Sequence, residues 1–416
     1  MHPTALLYEL FEAALSAALP ERVIKPALPD APDGNVVVLG AGKASASMAA
    51  EVERAWPDAK LSGLIVTRYG HKVPTQKIEV VEASHPVPDA AGLAAAEKIL
   101  ALARAAGPDD LVVCLMSGGA SALLSLPAEG VSFAEKQDVN AQLLRSGAPI
   151  DDMNTLRKRL SAIKGGRLAA AIAPARALTL MISDVPGDEP AVIGSGPTVP
   201  DDTTADSARR VVERYGLALP RHLLDVIEHN HSISALPEGQ TLKMVATPQM
   251  LLDAAAARAR ELNVEPLILG DAIEGEAREV GRVMAGIAQQ VHRHGQPLGR
   301  PCVLLSGGET TVTIRGEQGG RGGRNSEFLL GFGLGLQVRE GIHAIACDTD
   351  GIDGSEDNAG AIWRSDSLAR ALALGLNAEQ FLDTNDAYSF FAALDDLVEP
   401  GPTLTNVNDF RAVYVE

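Results

Sequence analysis

The sequence predicts an α/β protein of two domains built on parallel sheets, and three observations carry that expectation. Short apolar, β-favouring runs alternate with longer alanine-rich segments of helical periodicity, the pattern of strand–helix–strand units. At 416 residues the chain is too long for one ordinary core. Glycine and polar residues crowd the ends of the strand-like runs, where open α/β sheets gather their ligands.

In chain order, residues 5–19 carry Glu9 and Glu12 inside an apolar pattern and lack a basic leader, which fits an amphipathic helix better than a signal peptide. Strands are expected at 36–39, 64–67, 78–81, 111–115 and 178–182, and a second series at 245–247, 266–269, 302–305 and 344–347. Residues 209–233 read as helical. Residues 234–240, with Pro237 and Gly239, form the boundary, so the domains are expected at 1–236 and 237–416. No uncharged apolar run approaches membrane-spanning length.

The formal charge of −18 argues against a general nucleic-acid binder and against docking on an anionic membrane. An anionic ligand would therefore need a locally basic site. Cys114, Cys302 and Cys347 sit in or at the end of apolar runs with no ligand spacing, which predicts buried thiols in a reducing compartment.

The chain concentrates its signals at residues 302–325. A strand at 302–305 is expected to end in the turn Ser306-Gly307-Gly308, and a second strand at 310–314 to follow. The loop 316–323 holds five glycines in eight residues and leads to Arg324-Asn325 and a helix beginning near Ser326. Bare backbone N–H groups and a helix N-terminus can close around an anion, with Arg321 and Arg324 adding charge. A solvated hairpin loop is the ordinary alternative. Ser117-Gly118-Gly119, after the strand at 111–115, echoes the Ser306 turn, as if each domain ended one strand in the same way.

GAGKAS (40–45) follows the first strand. It is not a phosphate-binding P-loop, because Lys43 is followed by Ala44 and the upstream glycine is missing. As a dinucleotide fingerprint it is weak, with Ser45 at the third small position and Thr67-Arg68, not a carboxylate, at the end of the second strand. A strand-to-helix turn that carries Lys43 into a site fits better. Residues 156–167 hold Arg157, Lys158, Arg159, Lys164 and Arg167 and no acid, in a chain with 54 carboxylates against 36 lysines and arginines. This is either a carboxylate- or phosphate-binding patch or a solvated helix face. Acidic loops follow two strands, Asp184 to Asp188 and Asp348 to Asp353. Carboxylates at strand ends beside basic, glycine-rich loops fit Mg²⁺-dependent phosphoryl transfer, while Asx-turn chemistry accounts for at least one of Asp188 and Asp353.

GAGKAS, SHPVPD (84–89), MSGGAS, NTLRKRLSAIKGGRLA, ISDVPGD with GSGPTVPD, LSGGETTV, GGRGGRNSEF and CDTDGIDG occur in that order across nearly the whole chain. Together they closely resemble the class II glycerate 2-kinases, a family also named as hydroxypyruvate reductases. The resemblance implies two Rossmann-like three-layer αβα domains with the active site in the interdomain cleft. It also implies ATP, Mg²⁺ and phosphoryl transfer to the 2-hydroxyl of D-glycerate, with Lys43 and Arg324 the principal active-site cations. The candidate site is then Lys43, Arg324 and Asp184 for catalysis, and His85, Ser117, Gly118, Gly119, Arg157, Lys164 and Arg167 for substrate. Ser306, Gly307, Gly308, Glu309, Thr310 and Asn325 stand for the nucleotide, and Asp184 and Asp350 for the metal. The partners expected are D-glycerate and ATP, with no nucleic acid and no membrane, in the cytoplasm; the oligomeric state, a homodimer being one form, is open.

Two other readings remain. A nicotinamide-dependent hydroxypyruvate reductase would need a hydride pocket and a proton donor, for which His85 is the placed candidate. A non-catalytic sugar-acid sensor would need no acidic metal loops.

Overall fold

The structure, a computed structural model, describes residues 1–314, 319–338 and 340–416. Gly316, at the head of the glycine-rich loop, lies outside the described residues. The chain divides into two compact units, Pro20–Ser183 with Asp188–Val245, and Met1–Leu19 with Asp184–Gly187 and Ala246–Glu416. The sequence reading set a single boundary at 236/237. The chain instead returns its first helix, Pro3–Ala18, to the second unit, where that helix packs on helix Pro248–Glu261.

The unit containing Pro20 is built on β1 (Asn35–Ala41), β2 (Lys60–Arg68), β3 (Glu79–Ala83), β4 (Leu111–Met116), β5 (Arg176–Ile182) and β6 (Gln240–Ala246) in the order β3-β2-β1-β4-β5-β6. Pairings from β3 through β5 are parallel, as the alternating strand and helix pattern demands. Every residue of β4 is buried, which its unbroken apolar run LVVCLM dictates for a strand with covered faces. Helix Ser45–Ala55 packs on β2 and β4, and Ala90–Ala105 on β2 and β3. The strand order reverses between β1 and β4, so the ends of these two strands flank the crevice where such sheets take ligands.

Beside this sheet, helices Phe133–Arg145, Ile150–Arg159, Ala205–Arg214 and Arg221–His229 share an apolar cluster that includes Leu143, Leu156, Leu160 and Ile227. The segment 209–233, expected as one helical stretch, is broken because Gly216 takes a positive φ and Pro220 caps the next helix. The strand expected at 245–247 to open the second series is instead the end of β6 in the first sheet. Thr247 caps the following helix, its side chain accepting from Met250 N–H.

The other unit holds a six-stranded sheet in the order β13-β12-β11-β14-β9-β7, with β7 (Glu265–Gly270), β9 (Cys302–Gly308), β11 (Ile342–Asp348), β12 (Gly360–Trp363), β13 (Leu397–Val398) and β14 (Asp409–Val415). It is parallel only between β7 and β9; the other pairings are antiparallel. The expectation of a second parallel series is thereby corrected. The carboxyl-terminal strand β14, unread in the sequence, inserts between β9 and β11 and runs against both. Two short strands, β8 (Gly275–Glu276) and β10 (Thr310–Thr311), pair apart from this sheet. The strand expected over 310–314 is therefore only two residues long.

Candidate active site

The first cluster lies at the ends of β1 and β4. Gly42 has φ +134°, and a Cβ there would stand 2.1 Å from Ser117 Oγ, so only glycine fits. The chain then turns into helix Ser45–Ala55 with its first donors engaged. Lys43 N–H donates to Gly118 O at 2.8 Å, Ala44 N–H to Ser117 Oγ at 3.0 Å and Ser45 N–H to Gly42 O at 3.2 Å. Ser117 is fully buried and clasps the two strand ends together. At Gly119, with φ +83°, a Cβ would stand 3.1 Å from the His85 ring and 3.4 Å from Lys43 Cγ, so His85 and Lys43 flank this backbone turn.

A pocket of about 170 Å³ opens beside this turn, lined by His85, Gly119, Lys136, Asn140, Arg157 and Lys164 over apolar walls. The five basic residues of 156–167 thus divide. Arg157 Nε and Nη2 donate to Asn140 Oδ1 at 3.0 and 2.7 Å, and Lys164 Nζ to Ser121 O, Ser121 Oγ and Gly194 O at 2.9, 3.3 and 3.0 Å. Arg167, expected among the substrate residues, instead clamps the carbonyls of Lys158, Lys164, Asn230 and His231 and is not part of the pocket lining. Lys158 pairs with buried Asp201 at 3.3 Å, and Arg159 holds the carbonyls of Asn230 and Thr203.

Sequence reasoning missed Lys136. Its place on helix Phe133–Arg145 resembles that of any surface lysine, and only the tertiary fold buries it, with Nζ 3.0 Å from Leu160 O. Burial, then Arg157 and Arg167, pull its pKa down to about 7. Burial, then Lys136 and Arg157, hold Lys164 well below an ordinary lysine.

The second cluster lies at the ends of β9, β14 and β11. Ser306, Gly307 and Gly308 prove to be strand residues, paired with Arg411, Phe410 and Asp409 of β14, and not a turn. Gly308, at φ +116°, is glycine because a Cβ would meet the Ile273 backbone at 2.3 Å. The echo between Ser117-Gly118-Gly119 and Ser306-Gly307-Gly308 is therefore one of letters and not of conformation.

Helix Arg324–Gly335 begins two residues before the expected start. Its leading donors are already met from within the chain: Asp353 accepts from Asn325 N–H and Ser326 N–H, both at 2.9 Å, and from the Ser326 hydroxyl. Asp353 is fully buried, and burial raises its pKa despite these hydrogen bonds. Arg324 donates to Asp409 at 2.7 Å, Asp348 at 2.8 Å and Glu309 at 2.5 Å. Burial lowers its pKa, but the three carboxylates outweigh that and leave it well above the ordinary arginine value. Asn325 donates to Asp409 at 2.8 Å, and Thr310 Oγ1 accepts from buried Arg411 at 3.2 Å. Arg321 pairs with Glu356 and stacks 4.0 Å from the Tyr388 ring centroid.

Asp184 belongs to this same unit and accepts from Asn406 Nδ2 at 3.1 Å. Asp350 is buried, its carboxylate accepting from Ile352 N–H at 2.9 Å and its own N–H donating to Asp348 Oδ1 at 3.0 Å. Among the described residues no group of three or more His, Cys, Asp or Glu side chains is placed to hold a metal ion. A preformed cage is not what Mg²⁺ requires, since it uses one or two carboxylates together with waters and substrate phosphates.

Residues 6–228 match the family model described as a domain of unknown function, DUF4147, and residues 302–409 match the MOFRL family. A protein of Agrobacterium vitis that carries the provisional name hydroxypyruvate reductase is 53% identical over 99% of this chain and 94% of its own length. The D-glycerate 2-kinase of Thermotoga maritima is 36% identical over 97% of this chain and 96% of that protein. A crystal structure of glycerate kinase from Thermotoga maritima matches with a TM-score of 0.91 at 36% identity, covering 99% of each chain. The chain belongs to the DUF4147 and MOFRL family that includes these glycerate 2-kinases.

Proposed function

We propose that this protein is a glycerate 2-kinase, a phosphotransferase with an alcohol group as acceptor, moving the γ-phosphoryl of ATP to the 2-hydroxyl of D-glycerate. One observation carries the kinase over the reductase. A nicotinamide dinucleotide needs the N–H groups of the first strand-to-helix turn for its pyrophosphate. Here the N–H groups of Lys43, Ala44 and Ser45 are taken by Gly118, Ser117 and Gly42. The same turn holds Lys43 and His85 about Gly119, beside a basic pocket suited to a small acid.

In this reading Lys43 stabilises charge on the transferring phosphoryl group, and His85, Gly118 and Gly119 border the acceptor. Arg324, Glu309, Thr310 and Asn325 serve the nucleotide. Asp184 and Asp350 are the carboxylates from which Mg²⁺, held mainly by phosphates, would take its protein ligands. The division of labour between the two units, the parallel-sheet unit carrying the acceptor residues and the unit with the largely antiparallel sheet carrying the nucleotide residues, is part of the proposal. So is a cytoplasmic location, supported by three free, buried thiols. Among the described residues no helix is long and apolar enough to cross a membrane.

The name of the Agrobacterium vitis relative favours the reductase as the second reading. Incubation of the protein with D-glycerate and Mg-ATP, with the phosphorylated isomer identified, tests the first. NAD(P)H oxidation that depends on hydroxypyruvate, without phosphoryl transfer, would replace it with the second.

A further inference from the structure

The pocket beside Gly119 holds more positive charge than its surroundings compensate. Lys136, Lys164 and Arg157 all line it, and among the described residues none of the three forms an ion pair. Their acceptors are the Leu160, Ser121 and Gly194 carbonyls, the Ser121 hydroxyl and the Asn140 amide oxygen. Buried ammonium groups are ordinarily paired, because an uncompensated charge away from water is costly. The groups that face Lys136 deepen the imbalance: Arg157 from helix Ile150–Arg159, Lys164 and Arg167 from the turn after it, and His85 from the segment following β3.

Donor counting separates the roles. An ammonium carries three N–H donors. Lys164 meets three acceptor atoms and has none to offer a ligand. Lys136 meets one, which leaves two for a guest, and Arg157 keeps Nη1 beyond its contacts with Asn140.

We propose that Lys136, with Arg157 beside it, binds the carboxylate of the acceptor, and that this contact selects short hydroxy acids over neutral polyols. The proposal rests on the kinase reading for the identity of the acceptor. A carboxylate suits the site better than a phosphate, because the donors are two side chains among apolar walls such as Leu143, Leu160 and Pro86, and not a nest of backbone N–H groups. Lys164 supplies field without contact. Because Lys136 releases its proton near pH 7 in the empty protein, binding the anion must hold that proton in place. Acceptor affinity then falls as pH rises above about 7, by up to about tenfold per pH unit.

The test uses the full chain. Binding of D-glycerate, glycerol and inorganic phosphate is measured by calorimetry for the parent, Lys136→Met, Lys136→Arg and Arg157→Gln, alongside KM for D-glycerate and for ATP. Lys136→Met should weaken D-glycerate on the order of ten- to a hundredfold, leave KM for ATP in place, and recover in part as Lys136→Arg. Unchanged D-glycerate binding by folded Lys136→Met would overturn the proposal, as would a loss confined to inorganic phosphate. If that variant does not fold, the pH series on the parent decides, and an affinity that is flat from about pH 6 to about pH 8.5 overturns it. Binding of short hydroxy acids through Lys136 without phosphoryl transfer would sink the kinase reading and leave the pocket assigned. Phosphorylation of D-glycerate with an unaltered KM in Lys136→Met would do the reverse.

Discussion

Asp348 and Asp409 stand directly opposite one another on the antiparallel strands β11 and β14, and a single guanidinium, that of Arg324, binds both. Facing like charges destabilise a strand pair, and a cation at the first turn of a helix opposes the helix dipole. Each arrangement is unfavourable alone, and together they compensate.

The first prediction follows from that pairing. Arg324→Ala removes the guanidinium that Asp348 and Asp409 share, leaving Asp409 paired with buried Arg411, and should lower stability by about 3 kcal/mol at neutral pH. Denaturant unfolding of the parent and variant at neutral pH measures it. A variant as stable as the parent would show that Arg324 does not hold the strand ends. Arg324→Lys, which keeps the charge, separates catalytic loss from unfolding.

Lys43 makes the opposite case. Its backbone N–H holds the turn, and alanine keeps that bond, so Lys43→Ala should remain folded. In the proposed role its side chain meets charge that develops during transfer, and its loss should lower kcat on the order of a hundred- to a thousandfold. Steady-state kinetics with a circular dichroism control decide it; near-parental kcat would remove Lys43 from the chemistry.

Lys136 gives a stability prediction independent of activity. Below about pH 7 it is charged in both folded and unfolded chains. Between about 7 and the ordinary lysine value of 10.5 only the unfolded chain holds the proton, so folding becomes more favourable as pH rises through that window. Lys136→Met removes the buried charge, and its gain in Tm should be largest near pH 6 and shrink toward about pH 9. Thermal melts across that range, without substrate, would contradict this if the difference between variant and parent were constant.

A fourth prediction concerns the metal. With Asp184 and Asp350 the proposed carboxylates and no preformed cage among the described residues, Mg²⁺ should bind weakly without nucleotide and activity should vanish in excess EDTA. Asp350→Asn should raise the Mg²⁺ concentration needed for half-maximal rate. Full activity in EDTA would take the metal out of the mechanism.

Much of the first sheet was legible because parallel strands buried on both faces announce themselves, as LVVCLM does in β4. The carboxyl-terminal strand DFRAVYV was not, since its place between β9 and β11 is set by pairing with distant strands. Glycine runs misled where their cause was tertiary. Gly308 is glycine because of Ile273, a neighbour that no local pattern reveals. The basic segment 156–167 was readable as a charge excess, but which of its members face a pocket depends on where each side chain finds acceptors. Arg167 finds four carbonyls, while Arg157 and Lys164 line the pocket. Lys136 gave no sequence signal, because burial of one helical lysine depends on what packs over it.

One measurement decides between phosphoryl transfer and reduction at the Lys43 turn: the parent protein incubated with D-glycerate and Mg-ATP, its product resolved between 2- and 3-phosphoglycerate, beside a parallel reaction with hydroxypyruvate and NAD(P)H. The expected outcome is 2-phosphoglycerate formed in step with ADP and no reductant oxidised. Reductant consumed with hydroxypyruvate, and no phosphorylated glycerate, would contradict it.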